Sequence, residues 1–295
     1  MPLGAVALML VVNLVWSFNT VVVKVMVDDY GVPPLFFAGV RTLLILLVLL
    51  PLLRPVPEKV WQVMAVGLAI TGGSFALLFV GLVQAAPATA GIVSLMGAPL
   101  TVLFAILILK ERVRWRRGLG IALAFAGVGI AVASPSGAQS LDGVGFIALG
   151  SVVGALGTVF VKRLEVGAIQ LQAWGAAASA ILLLPLSALL EEGQVAAFTA
   201  APLEVGVALL YAALIVSVGA HTIYYWLLKK HEANLLVPLT LFTPIFTIAL
   251  GHWITDDPVG DWLVAGAAVA IAGVAVILLR PSQTFSRRFL VRTRL

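Results

Sequence analysis

The sequence contains no cysteine and has few charged residues. The absence of cysteine from all 295 residues excludes disulfide bonds, thiol catalysis and thiolate metal ligands. Charged residues make up 11% of the chain, against about 25% in a typical soluble domain. Hydrophobic residues make up 62%, and the mean hydropathy is +1.14. This composition predicts an integral membrane protein embedded in the lipid bilayer.

Acidic side chains are missing from the centre of every predicted membrane span. All 13 aspartates and glutamates fall in predicted loops or at predicted helix ends. Proton-driven export of cationic drugs usually needs a carboxylate within the membrane, so the sequence disfavours that mechanism and favours a facilitator. His221 is the one predicted buried group that titrates near neutral pH.

Enzyme signatures are missing as well. The chain has no H-E-x-x-H, no G-x-x-x-x-G-K-[ST] and no G-x-S-x-G. An intramembrane aspartyl enzyme would need paired acids within the spans. The sequence therefore predicts no catalytic residue, no metal site and no cofactor.

Apolar runs long enough to cross a bilayer follow one another along the chain. A membrane helix needs about 20 mostly apolar residues, and turn-rich segments such as DDYGVPP and TDDPVG separate these runs. We predict an all-α integral membrane protein with ten transmembrane helices, at 3–27, 35–53, 60–83, 88–109, 116–133, 143–161, 168–190, 203–229, 234–254 and 261–279.

The charges in the connections alternate along the chain. Sixteen of the 18 lysines and arginines lie in the second, fourth, sixth and eighth connections and in the tail. The other connections hold acidic residues without lysine or arginine. Basic connections mark the cytoplasmic side, so both termini are predicted to be cytoplasmic. The same basic loops account for the net charge of +5, and no nucleic-acid partner is predicted.

The two halves of the chain resemble each other. NTVVVK at 19–24 recurs as GTVFVK at 157–162, and APLTVLFAIL at 98–107 matches TPIFTIALGH at 243–252. Because five helices is an odd number, the second copy must insert upside down. Inverted repeats are typical of secondary transporters, whose substrate site lies near the midplane. The predicted units are a first repeat at 1–138, a second, inverted repeat at 139–282, and a basic cytoplasmic tail at 283–295.

Several motifs resemble the EamA-type branch of the drug/metabolite transporter superfamily, over nearly the whole chain. VWSFNTVVVKV carries the tryptophan, asparagine and lysine of the first helix as Trp16, Asn19 and Lys24. PPLFFAGVRTLLILL carries the arginine of the second helix as Arg41, and Glu111 precedes a glycine-rich fifth helix.

The second copy departs from this pattern. Asp256 stands at the glutamate position, and no arginine in the seventh helix corresponds to Arg41. The resemblance implies a ten-helix exporter of small metabolites in a bacterial-type inner membrane. It points to amino acids, particularly aromatic ones, as the first expected substrates.

The first predicted helix carries a polar stripe. At about 100° per residue, Asn13, Ser17, Thr20 and Lys24 fall on one line with Trp16 beside it, whereas Asn19 points elsewhere. The stripe can line an aqueous cavity, or it can bond to a neighbouring helix. We favour the cavity, because the sixth helix repeats a weaker stripe that includes Thr158.

Two basic residues lie outside the basic connections. Lys24 is predicted near the outer end of its helix, one turn before Asp28, where its amine can extend to the interface or serve the substrate. Arg41 lies about 10 Å inside the second helix, at 1.5 Å per residue. It can pair with Asp28 or Asp29, or it can bind a substrate carboxylate with its two-pronged guanidinium.

Aromatic residues are predicted to reach the same space from two helices. Ser217, His221 and Tyr224 share one face of the eighth helix, and the repeat alignment brings Phe75 and Phe79 of the third helix towards it. Such a lining suits a flat amphipathic molecule, although core packing and helix packing produce similar patterns.

Prolines interrupt two equivalent helices. Pro99 and Pro244 occupy matching positions, and Pro238 adds a second break. Proline removes a backbone hydrogen bond, and interrupted helices often form gates in transporters; static kinks are the alternative.

Together these features predict a facilitative exporter of small metabolites that works by alternating access through a central cavity. A nucleotide-sugar or phosphorylated-metabolite carrier is the alternative within transport, and it would need more basic residues in the cavity. A membrane scaffold or sensor is the alternative outside transport. The oligomeric state is open.

Overall fold

A computed structural model of the chain describes residues 2–110, 115–133, 140–161, 163–231 and 236–278. Within these ranges the regular structure is helical, and no strand occurs, which confirms the predicted all-α membrane class. The predicted tail at 283–295 and Glu111 lie outside the described residues. The helices are α1 (Leu3–Asp28), α2 (Pro34–Leu53), α3 (Val60–Leu82), α4 (Pro87–Leu109), α5 (Trp115–Val132), α6 (Leu141–Val161), α7 (Ala168–Leu190), α8 (Pro202–Leu210, Tyr211–Ala220 and His221–Lys230), α9 (Val237–Leu241 and Phe242–Ile254) and α10 (Asp261–Leu278).

Most of these helices are long and apolar enough to cross a bilayer. Over the described ranges eight qualify by length and composition, and α5 and α9 contain the shorter apolar stretches Gly118–Val132 and Leu239–Ile254. A further short helix, Gln194–Ala200, connects α7 to α8. The chain is therefore a multi-pass integral membrane protein.

Successive connections lie at opposite ends of the bundle. At one end, which we call the acidic end, Lys24 near the end of α1 donates a hydrogen bond to the carbonyl of Leu82 at the end of α3 (2.8 Å). At the other end, the basic end, Gln170 of α7 donates to the carbonyl of Pro55 in the connection between α2 and α3 (2.8 Å). Because Gly143, at the start of α6, packs on Gly81 near the end of α3, α6 starts at the end where α1 finishes.

The helix pairs show a repeating arrangement. α1 packs along α9, and in the same way α6 packs along α4. α3 packs on α6 and α7, and in the same way α8 packs on α1 and α2. The remaining extensive pairs, α2 with α7, α4 with α9 and α5 with α10, join helices that occupy the same place in the two halves. If α1–α5 are exchanged with α6–α10 in order, the same main helix contacts are obtained.

Glycines allow the closest of these crossings. A Cβ atom on Gly127 of α5 would lie 2.6 Å from the carbonyl oxygen of Gly266 of α10, and one on Gly120 would lie 2.8 Å from that of Gly273. Small residues let membrane helices pack backbone to backbone, so the glycine spacing in α5 and α10 determines this contact.

The largest apolar core lies at the acidic end. It is formed mainly by the halves of α1, α3, α5 and α7 that end there and the halves of α2, α4, α6, α8 and α10 that begin there. Phe37, Phe79, Leu82, Ile92 and Val205 are among its most buried members. This end of the bundle is therefore tightly packed.

Two carboxylates cap helices at the same end. Glu191, just after α7, accepts hydrogen bonds from the backbone N–H groups of Leu35 (2.7 Å) and Phe36 (2.9 Å) in the first turn of α2. Asp257, just before α10, accepts one from the N–H of Ala88 in the first turn of α4 (2.8 Å). The first turn of a helix leaves N–H groups unpaired, so each carboxylate joins one half of the chain to the other.

Candidate functional site

The first of two neighbouring cavities lies between α2, α3, α4, α6, α7 and α8 and has a volume of about 670 Å³. It extends from the middle of the bundle to Thr101, Val161 and Ala168, near the basic end. Its polar lining residues are Arg41, Thr71, Ser74, Ser94, Thr101, Ser151, Thr158, Gln172, Ser217, His221 and Tyr224.

The second cavity lies between α1, α3, α4, α8, α9 and α10 and has a volume of about 420 Å³. It shares Phe75, Leu78, Ser94 and His221 with the first, so these side chains form the common wall. Its remaining polar lining comes from Trp16, Asn19, Thr20, Thr240, Thr243 and Thr247.

Arg41 is the charged side chain of this lining. It is 3% exposed, it donates a hydrogen bond from Nε to Ser217 Oγ (3.0 Å), and its guanidinium lies 4.5 Å from the ring centroid of Phe75. Of its two terminal nitrogens, Nη1 has no hydrogen-bond partner. Asp28, one of the two expected acidic partners, pairs instead with Lys24 at 2.9 Å. Among the described residues, Arg41 therefore has no counter-ion.

A π-helical segment in α8 positions Ser217, the hydrogen-bond partner of Arg41. The segment Tyr211–Ala220 is wound as a π-helix, and α3 has its own π segment, Ala69–Gly73, at the corresponding place. Ser217 Oγ donates to the carbonyl of Ala212, five residues earlier (2.6 Å), while Gln172 Nε2 donates to the carbonyl of Ser217 (2.7 Å). π segments often occur at functional sites, and here both of them face the first cavity.

Part of the polar stripe of α1 bonds to α9, and part of it lines a cavity. Asn13 donates to the carbonyl of Leu239 and accepts from Thr243 Oγ1, both at 2.8 Å, and Ser17 donates to the carbonyl of Thr243 at 2.8 Å. These two residues bond α1 to α9 and do not line either cavity. Thr20 lines the second cavity.

Helical geometry placed Asn19 away from the polar stripe, but Asn19 lines a cavity all the same. It lines the second cavity, is 3% exposed, and its Oδ1 has no hydrogen-bond partner. Trp16 Nε1, in the same cavity, also has none. The cavity therefore contacts the Trp16, Asn19 and Thr20 side of α1, because α9 covers the neighbouring side.

The aromatic residues form two groups. The Trp16 ring packs 5.2 Å from that of His221 and 5.5 Å from that of Tyr224, measured between centroids. Phe75 lines both cavities, whereas Phe79 is fully buried beside Phe37 and lines neither. Phe79 thus belongs to the packed core between the cavities and the acidic end.

The remaining predicted residues are also placed. Lys24 is bonded to Asp28 and Leu82 away from both cavities, and Thr158 lines the first cavity near its basic end. Pro99 and Pro244 are each the third residue of an α-helical segment that follows a tighter turn, and Pro244 also lines the second cavity. Pro238 lies in the 3₁₀ segment Val237–Leu241, and its side chain is outside the described residues.

Several lining residues were not predicted from the sequence. Thr71, Ser74, Thr101 and Gln172 face the first cavity, and Thr243 and Thr247 face the second. Hydroxyl groups are common within membrane helices as packing residues, so they gave no distinctive signal. Gln172 was detectable, because an amide in a predicted span is uncommon.

A family comparison agrees with this architecture. The model of the EamA-like transporter family matches residues 3–133 and 141–279, which is nearly the whole described chain. The chain belongs to the EamA-like transporter family. The two matched stretches correspond to α1–α5 and α6–α10, and the predicted EamA resemblance is confirmed.

Curated relatives of this transporter are bacterial. A protein of Salmonella typhimurium (strain LT2) named "Probable amino-acid metabolite efflux pump" is 28% identical over 286 residues, covering 92% of this chain and 93% of the relative. A protein of Escherichia coli (strain K12) with the same name is 26% identical over 283 residues, covering 92% and 93%. These names support the membrane-transporter prediction over the enzyme classes.

A solved structure has a similar fold. It is described as the crystal structure of a protein, superposes with a TM-score of 0.56 at 20% identity, and covers 98% of this chain and 99% of its own. At that identity the likeness concerns the fold alone.

Proposed function

We propose that this EamA-family chain exports small metabolites, with aromatic or amphipathic amino acids as the first class to test, across a bacterial inner membrane. The carrier works by alternating access and as a facilitator. The proposal rests mainly on Arg41, whose buried guanidinium lines the first cavity and whose Nη1 has no hydrogen-bond partner. A buried charge is costly unless it is paired, and a substrate carboxylate is a suitable partner for a guanidinium.

The topology we propose has ten crossing helices with both termini in the cytoplasm. The excess of lysine and arginine at the basic end supports that end as cytoplasmic. The exchange symmetry of the helix contacts supports two inverted five-helix repeats, at 1–138 and 139–282. In this orientation both cavities lie on the cytoplasmic side of the packed core, which is the conformation an exporter needs in order to load its substrate.

The helix breaks at Pro99, Pro238 and Pro244 are proposed gating positions. Pro99 and Pro244 each follow a short turn that interrupts α4 or α9. Because α4 lines both cavities and α9 lines the second, a change of angle at either break would alter access to the substrate path.

The runner-up substrates are nucleotide sugars and phosphorylated metabolites. A doubly charged phosphate needs several cationic groups, whereas Arg41 is the one lysine or arginine in the described lining of the two cavities. The lining therefore favours a single carboxylate. A scaffold or sensor role predicts no saturable flux at all.

Purified protein in liposomes tests the proposal. Labelled aromatic amino acids and related carboxylates should move with saturation, and Arg41→Gln should lower kcat/KM by about tenfold or more, because a hydrogen bond to a charged group contributes about 1.5–3 kcal/mol. Arg41→Lys should retain part of the activity. Lys59→Gln, which changes an exposed charge near the basic end, is the matched control and should transport normally. Saturable transport that is unchanged in Arg41→Gln would contradict this site.

A further inference from the structure

The described lining of the two cavities has a positive charge and no negative charge. Arg41 contributes a positive charge, and the described lining of both cavities contains no aspartate or glutamate. Three carboxylates at the acidic end already have partners there. Asp28 pairs with Lys24, Glu191 accepts from the first turn of α2, and Asp257 accepts from the first turn of α4.

A substrate that enters such a site meets a positively charged partner for its carboxylate, and the described lining offers no negatively charged partner for an ammonium group. A carboxylate beside Arg41 neutralises the buried charge, and its two oxygens match the guanidinium fork. An ammonium group on the same substrate carbon would lie within a few ångströms of Arg41, where like charges repel. A neutral hydroxyl or keto group in its place avoids this repulsion.

The rest of the site suits an apolar body with a second polar group. Phe75 stacks on the guanidinium and borders both cavities, so a ring or chain can lie against it from either side. Beyond this wall, Asn19 Oδ1 and Trp16 Nε1 are buried and unpaired in the second cavity. They offer an acceptor and a donor to a neutral polar group.

We propose that the preferred substrate is a net monoanion, an amphipathic monocarboxylate without a charged amino group, and that its export is electrogenic. The inference rests on the proposed transport function and replaces its first substrate class, because an amino acid carries an ammonium group that the proposed substrate lacks. The carboxylate binds Arg41, the apolar body contacts Phe75 and Leu78, and a neutral polar group reaches Asn19. Because each cycle carries one negative charge outward, an inside-negative membrane potential drives export.

The experiment compares two substrates that differ at one group. Phenylalanine is a zwitterion near neutral pH, and phenyllactate has the same skeleton with a hydroxyl in place of the ammonium group. Proteoliposomes are preloaded with each labelled compound, a potassium diffusion potential is imposed with valinomycin, and efflux is followed. Protein-free liposomes give the passive leak.

The expected result is faster, saturable efflux of phenyllactate that responds to the potential. An inside-negative potential of 100 mV is worth about 2.3 kcal/mol per charge, so the outside-to-inside ratio at steady state should approach about 50-fold, and reversing the potential should reverse it. Arg41→Gln should remove this response, and Lys59→Gln should keep it.

The outcomes separate the two proposals. If phenylalanine moves as well as phenyllactate, or if phenyllactate efflux ignores the potential, transport stands and the monoanion inference is wrong. If neither compound, nor any other labelled carboxylate or amino acid, moves above the leak, the proposed function itself fails. If phenyllactate responds to the potential in Arg41→Gln as in the native chain, Arg41 is not its binding group.

Discussion

Polar side chains in a membrane bundle can face a neighbouring helix or a cavity, and α1 carries both kinds. Asn13 bonds with Leu239 and Thr243 across the contact with α9. Asn19, less than two turns further along, lines the second cavity with its Oδ1 unpaired. The same residue type therefore serves packing at one position and offers a binding group at the other.

These two asparagines give a matched pair of substitutions. Asn13→Ala should lower the stability of the purified protein, because it removes two bonds between α1 and α9, each worth about 0.6 to 1.7 kcal/mol in a membrane protein. Asn19→Ala should leave stability nearly unchanged and raise KM, because its free oxygen has no partner to lose. Thermal unfolding in detergent and transport kinetics measure the two effects. If Asn13→Ala were stable and Asn19→Ala unfolded, Asn19 would be the packing residue and the assignment of the two roles would be wrong.

The sequence identified these residues as unsuited to lipid, but it did not assign their partners. Helical geometry put Asn13, Ser17 and Thr20 on one line, and the contact with α9 divides that line. Asn19 was selected through the family motif rather than through the stripe. Arg41 was recognised as deeply placed, and the absence of a counter-ion became visible with the distances.

At the scale of the helix, small residues and helix breaks position the site. Gly127 and Gly266 bring α5 and α10 into backbone contact. The π segments of α3 and α8 turn Ser74 and Ser217 towards the first cavity. The close helix contacts thus hold the bundle together, and the π segments orient polar side chains into the cavity.

Two glycines of α5 test the role of its contact with α10. Gly127→Ala places a Cβ against the backbone of Ala270 and Gly266, whereas Gly129→Ala places one where no atom lies within 4 Å. Gly127→Ala should therefore reduce the yield of folded protein and its melting temperature. Gly129→Ala should be neutral or slightly stabilising, since alanine favours a helix by about 1 kcal/mol over glycine. Size-exclusion profiles and thermal melts of both variants provide the comparison, and equal behaviour of the two would argue against a close crossing.

Helix existence was predictable because apolar runs of spanning length leave few alternatives in a bilayer. Predicted bounds such as 35–53 lie close to the observed Pro34–Leu53. The π segments were not predicted, because no residue pattern distinguishes them from an ordinary apolar helix. The prolines located the interruptions in α4 and α9 but not those in α3 and α8.

At the scale of the whole molecule, the bundle is packed at one end and hollow towards the other. The largest apolar core and the caps made by Glu191 and Asp257 close the acidic end. The first cavity continues to Thr158 and Val161 near the basic end. In the proposed orientation, which places the basic end in the cytoplasm, this arrangement corresponds to an inward-facing carrier.

A chain without cysteine allows this orientation to be measured directly. Single cysteines at Lys59 and Thr158 should react with a membrane-impermeant maleimide from the cytoplasmic side, and one at Glu192 should react from outside. A cysteine at Val23, within the packed core, should react from neither side. Labelling in intact cells and in inside-out vesicles gives the sidedness. Reaction of positions 59 and 192 from the same side would contradict the inverted arrangement.

Charge alternation follows from successive crossings of a membrane, and an internal repeat of five helices implies inversion of the second copy. Together they predict the topology that we propose. The conformation was not predictable, since inward- and outward-facing states of a carrier share one sequence and differ in which end is packed. In the proposed orientation, the location of the largest core, seen in residues such as Phe79 and Leu82, corresponds to the inward-facing state.

The unpaired guanidinium of Arg41 also has a consequence for the order of steps in a transport cycle. A carrier must close around its site before it opens to the other side, and closing around an empty site would leave this charge with neither water nor a partner. Bound substrate removes that obstacle, so the loaded protein is expected to turn over faster than the empty one. The return of the empty protein then limits net flow, and exchange of one substrate molecule for another across the membrane should be faster than export alone.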